Sequence, residues 1–135
     1  MSRVRIKAES YFEMPEGGHD VSVHAGYAEI EREQGWKLSY QERKDGGEIS
    51  IVLKATKRGI RMERTGETNG ALDFIPGEET EGLYVTPFGE FVLSLRTQQA
   101  EIEENDAGGA LHLRYEMLSD GAVQTRCRYT LQWKS

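Results

Sequence analysis

One cysteine, Cys127, and three prolines in 135 residues set the first limits on this chain. A lone cysteine closes no internal disulfide, so stability has to come from a packed core, and a reducing compartment is expected. No apolar leader follows Met1, and no run approaches the roughly 18 apolar residues of a membrane helix. The expectation is a cytoplasmic chain with no membrane partner. Cations are in the minority: 17 Lys and Arg against 23 Asp and Glu leave a net charge of −6, which disfavours non-specific binding to nucleic acid. The three histidines, His19, His24 and His112, are scattered without metal-ligand spacing, and no glycine-rich loop opens a helix. No cofactor and no metal are therefore expected. Helical periodicity is also missing, because apolar residues do not recur at three and four. At this length, one domain over residues 1–135 is expected.

What is present is alternation. Val4, Ile6, Ala8, Ser10 and Phe12 share one face of a first strand, closed by Pro15-Glu16-Gly17-Gly18. Val21, Val23, Ala25 and Tyr27 form a second, read with these four on one face, although Ile30 breaks the pattern and Gly26 suggests a bulge. Trp36, Leu38 and Tyr40 follow, then Lys44-Asp45-Gly46-Gly47, whose Asp-Gly signals a hairpin. Ile49, Ile51, Leu53 and Ala55 make a fourth strand; Ile60 and Met62 lie in a fifth. Short segments are expected at 71–75 and 83–86, split by Pro76-Gly77 and the acidic patch 78–81. Thr86-Pro87-Phe88-Gly89 is a tight reversal, since proline fixes φ and glycine accepts the left-handed region. Phe91, Leu93 and Leu95 alternate after it, in a strand reaching Ile102. Leu111 to Met117 and Val123 to Trp133 close the chain around Asp120-Gly121. Eight to ten short antiparallel strands joined by hairpins predict an all-β, up-and-down barrel, since closure removes sticky edges. A two-sheet sandwich is the competing architecture.

Four segments, Trp36-x-Leu38-x-Tyr40-x-Glu42, Met62-x-Arg64-x-Gly66, Tyr84-x-Thr86-Pro87-Phe88-Gly89 and Gly109-x-Leu111-x-Leu113-x-Tyr115, together resemble the YwiB-like family of uncharacterised small β-barrels. The Thr-Pro-Phe-Gly turn is the most specific of them. The resemblance spans nearly the whole chain. It implies a calycin-like barrel of the lipocalin and avidin kind, in bacterial cytoplasmic proteins, and carries no activity.

Two constellations stand out. By parity Glu42 continues the inward face of Tyr40, and Arg64 that of Met62. Both then lie near the upper end of the barrel, roughly 10 Å apart across one intervening strand. A lone interior charge costs several kcal/mol, so these two are expected to pair. The resulting expectation is a small, partly apolar ligand held by Tyr40, Glu42 and Arg64 near Phe88. The alternative is a barrel filled by its own side chains, with the pair at the rim. The second constellation is an outer basic face: Arg3, Arg5 and Lys7 on the first strand, Arg126 and Arg128 on the last, and Arg114 beside them. It suggests docking of an anionic partner, protein or RNA; an ordinary solvated face is the other reading. A homodimer through an exposed strand edge also stays open. No catalytic set is evident: Cys127 shares the inward face with Tyr129 and Leu131, where a thiol behaves as a small hydrophobe.

Overall fold

The structure, a computed structural model, describes residues 2–44 and 47–135, which places the Asp45-Gly46 pair of the expected hairpin outside the described residues. Alternation does become strand throughout. In chain order the strands are β1 (Ser2–Glu13), β2 (His19–Glu31), β3 (Lys37–Lys44), β4 (Gly47–Ala55), β5 (Ile60–Gly66), β6 (Asn69–Phe74), β7 (Glu79–Thr86), β8 (Gly89–Asn105), β9 (Gly108–Ser119) and β10 (Ala122–Lys134). No helix occurs among the described residues. Each strand pairs antiparallel with its chain neighbours, and β1 pairs with β10, so one sheet closes into a ten-stranded up-and-down barrel. The sandwich is excluded.

Inward positions follow the period of two. Val4, Ile6, Leu38, Ile51, Leu53, Met62, Phe74, Leu95, Leu111 and Leu131 are all buried in one central core. The end that carries both chain termini, called lower here, is packed by Trp36 and Trp133, with ring centroids 5.6 Å apart. Gly109 is required there. A Cβ on it would stand 2.4 Å from the Trp133 ring and 2.4 Å from the Glu103 carbonyl oxygen. At the opposite, upper end the turns behave as their residues dictate. Asp120 and Gly121 both have positive φ, 51° and 80°, as a two-residue hairpin with right-handed strand twist requires. Thr86 Oγ1 accepts from the Phe88 amide at 3.1 Å and donates to the Gly89 carbonyl at 3.2 Å, bracing the Thr-Pro-Phe-Gly reversal.

Three expectations are corrected. β2 carries no bulge: it pairs with β1 without a break from Ser2↔Ile30 to Glu13↔His19. Ala28 and Ile30 fix its inward face, so Val21, Val23 and Tyr27 point out and are more than half exposed. The apolar run misled because the buried half of β2 is its second half. The bulge lies instead in β8, between Thr97 and Gln99, and moves the inward phase to Ala100 and Ile102. Finally, β7 begins at Glu79, so the acidic patch is mostly strand.

Candidate functional site

Strand direction decides what gathers at the upper end. β3, β5, β7 and β9 all run towards it, and β10 leaves from it. Inward residues in the upper half of these strands include Tyr40 and Glu42, Arg64, Tyr84, Tyr115, and Cys127 with Tyr129. The aliphatic core therefore gives way to a polar layer of one guanidinium, one carboxylate and four phenols. Tyr40 is the hub. Its hydroxyl lies 2.7 Å from that of Tyr129 and donates to Glu42 Oε1 at 3.3 Å, which leaves Tyr129 as the donor to Tyr40. His24 stacks on the Tyr40 ring at 5.4 Å. Phe74 meets the Tyr115 ring edge-on at 4.7 Å.

Arg64 does not form the expected pair. Among the described residues no carboxylate lies within 4.0 Å of it, and its one hydrogen-bond contact is a weak one to Met62 Sδ at 3.8 Å. Among the described residues its Nε, which is buried, finds no hydrogen-bond partner, and neither does the buried Tyr84 hydroxyl. The reason is that Glu42 turns to Tyr40 on its own strand. Burial works against the Arg64 charge, but Tyr84, Tyr40, Glu42 and Tyr115 outweigh it and hold the pKa above its ordinary value. Burial raises all four phenols. For Tyr84 the Arg64 charge opposes that rise, yet the two do not meet in hydrogen-bond geometry. Burial also pushes the Cys127 thiol up to about 11, against a contribution from Tyr115 across the strand pair. These groups are proton donors near neutrality: the layer can hold an acceptor or an anion, and it offers no thiolate nucleophile.

β2 and β3 pair through four residues, Ala28↔Tyr40 to Glu31↔Lys37. Above that, Ala25–Tyr27 and Gln41–Arg43 do not pair with each other. The wall is thus unlaced beside Tyr40, whose ring stacks with His24. Phe88, expected near a pocket, sits at the tip of the β7–β8 turn and is 93% exposed.

The comparisons with known proteins fit this architecture. Residues 6–131 match the model of a family described as a domain of unknown function, DUF1934. The chain belongs to the DUF1934 family. An uncharacterised β-barrel protein of Bacillus subtilis (strain 168), YwiB, is 26% identical over 80 residues, covering 59% of this chain and 56% of YwiB. That alignment thus spans little more than half of the relative's length. The crystal structure of the ywiB protein from Bacillus subtilis superposes with a TM-score of 0.86, at 20% identity, over 99% of this chain and 92% of that one. At that identity the likeness is one of fold.

In this DUF1934 chain the outer basic residues do lie on adjoining strands, but the register divides them. Arg128 stands opposite Tyr11 on β1 and opposite Arg114 on β9. Arg5 stands opposite Lys134 and Tyr27, nearer the lower end. Arg3 lies over the Tyr27 ring at 4.3 Å, and Lys7 bonds Glu9 at 3.0 Å. Between the two groups run Glu9, Thr130 and His112. Reading from sequence assigned Tyr84, Tyr115 and Tyr129 no role. The signal was available: each is an inward position at the upper end of its strand, once strand directions are counted.

Proposed function

We propose that this barrel binds a small, partly apolar molecule carrying an anionic group. The anion would rest on Arg64 at the upper end, with the hydroxyls of Tyr40, Tyr84 and Tyr129 around it and the aliphatic core beneath. One observation carries the reading: a guanidinium inside the barrel whose Nε, and the neighbouring Tyr84 hydroxyl, have no hydrogen-bond partner among the described residues. Buried polar groups are nearly always satisfied. An anionic ligand supplies the acceptor that Nε lacks and accepts from Tyr84 at the same time. The unlaced β2–β3 seam is the route in. A cytoplasmic setting suits the single unpaired thiol of Cys127.

Native mass spectrometry of the protein purified from its own host tests this. A small acidic molecule should remain bound to the native protein and be lost in the Arg64→Met variant. Protein that carries nothing, and gains no thermal stability from any member of a panel of amphipathic acids, would end the proposal.

A further inference from the structure

We infer a second binding site, on the outside of the barrel, for the phosphate of a small phosphorylated molecule, bridged between Arg114 and Arg128. It is independent of the interior site. These two arginines are a directly opposed cross-strand pair on β9 and β10. Like charges so placed destabilise a sheet unless something sits between or beside them. Here no carboxylate does so: among the described residues, neither arginine has one within 4.0 Å. The chain is not short of acid, having 23 carboxylates to 17 cations. Glu116, two residues along β9 from Arg114, is already taken: it accepts from Arg96 at 3.0 Å and Gln98 at 2.9 Å and lies 3.6 Å from Arg126. Arg126 is thereby balanced, and the charge of Arg114 and Arg128 is left over.

The surroundings form a shaped site. A groove of about 410 Å³ is lined by Tyr11, Glu13, Gln98 and the three arginines, among others. Arg128 is held with its Cζ 4.6 Å from the Tyr11 ring centroid, and Tyr11 is itself stacked on His19 at 5.8 Å. The β8 bulge puts Gln98 on the groove wall, and Gln99 stands next to Arg114 in register. Two guanidinium forks match a dianionic, tetrahedral phosphate. The same layout argues for a small ligand over a nucleic acid strand. The Glu9, Thr130 and His112 row interrupts the cations, and Glu13 closes the far side opposite Arg126, so no continuous track follows a phosphate backbone. Tyr11, engaged by Arg128 and His19, is no free platform for a base.

The test is titration followed by the NMR signals of the arginine side-chain Nε–H groups, with three probes: phenyl phosphate, inorganic phosphate and a uridine dodecanucleotide. Phenyl phosphate should move the Arg114 and Arg128 signals saturably, and bind more tightly than inorganic phosphate. Arg114→Gln and Arg128→Gln should each weaken it about tenfold, as loss of one charged hydrogen-bond partner does. An Arg3→Gln, Arg5→Gln double variant should leave it unchanged. All these positions are exposed, so the variants are expected to keep the wild-type circular dichroism. No saturable shift with phenyl phosphate overturns the site. Equal affinity for inorganic phosphate overturns the ester assignment. Tighter binding of the oligonucleotide that also falls in the Arg3, Arg5 variant overturns the small-ligand reading in favour of nucleic acid.

Discussion

Replacing Arg64 by Met distinguishes a residue kept for binding from one kept for support, because the two roles give stability changes of opposite sign. Met has similar length, carries no charge, and would lie beside Met62, against which Arg64 already rests. If the guanidinium has no hydrogen-bonding partner of its own in the free protein, the substitution removes its desolvation cost and the orphaned Nε. Exchange of buried ionic groups for hydrophobic ones of like volume stabilises by about 1–4 kcal/mol. Part of that is offset here, because Glu42 loses the Arg64 charge to which it is coupled, so about 1–2 kcal/mol is expected. For 135 residues the unfolding entropy is about 0.28 kcal/mol/K. The Tm of ligand-free protein should therefore rise by roughly 4–7 °C. The assay is thermal and urea unfolding of protein first stripped of ligand by unfolding and refolding. Breaking a working buried pair instead costs about 3–5 kcal/mol. A variant less stable than wild type by that amount would mean that Arg64 is a structural strut and that the anion-holding role is wrong.

Tyr129→Phe deletes one end of the 2.7 Å hydroxyl contact with Tyr40 and should lower stability by about 1 kcal/mol in chemical denaturation; an unchanged midpoint would show that this contact contributes nothing net. Alkali should unfold the barrel cooperatively. The folded state holds Cys127 up at about 11 and raises the phenols of Tyr40, Tyr84, Tyr115 and Tyr129, so stability is intact below the ordinary values of 9.0 and 10.0. Above them the unfolded chain alone loses protons, and stability falls with rising pH, by about 1.4 kcal/mol per group per pH unit. Circular dichroism and phenolate absorbance should change together; phenolate formation by these four with the sheet intact would contradict it. Gly109→Ala drives a Cβ into the Trp133 ring and the Glu103 carbonyl, and should cost about 2–3 kcal/mol with altered tryptophan fluorescence; wild-type stability and emission would show that the Trp133 end is loosely packed.

Strand content and closure were legible because both rest on local physics. A period of two with glycine-bearing turns permits little besides antiparallel hairpins, and an all-hairpin chain this long closes most economically on itself. Local physics also fixed that Glu42 and Arg64 turn inward and that Asp120-Gly121 turns the chain. What it did not fix was anything requiring a count of residues across strands. The face of β2 was misread because Val21 and Val23 look like core, and pairing with β1 decides otherwise. The β8 bulge left no mark in the sequence, since Thr97, Gln98 and Gln99 have no bulge glycine among them.

The amino-acid sequence by itself determined an all-β chain with a buried aliphatic face and a few inward polar residues, because side-chain direction alternates along any strand. Only the closed barrel decided who meets whom. Strand polarity gathered tyrosines from β3, β7, β9 and β10 around Arg64 and set the Tyr129 hydroxyl against that of Tyr40, and register set Arg114 against Arg128. Those encounters depend on hydrogen-bond register between segments as much as 89 residues apart, which no local pattern encodes.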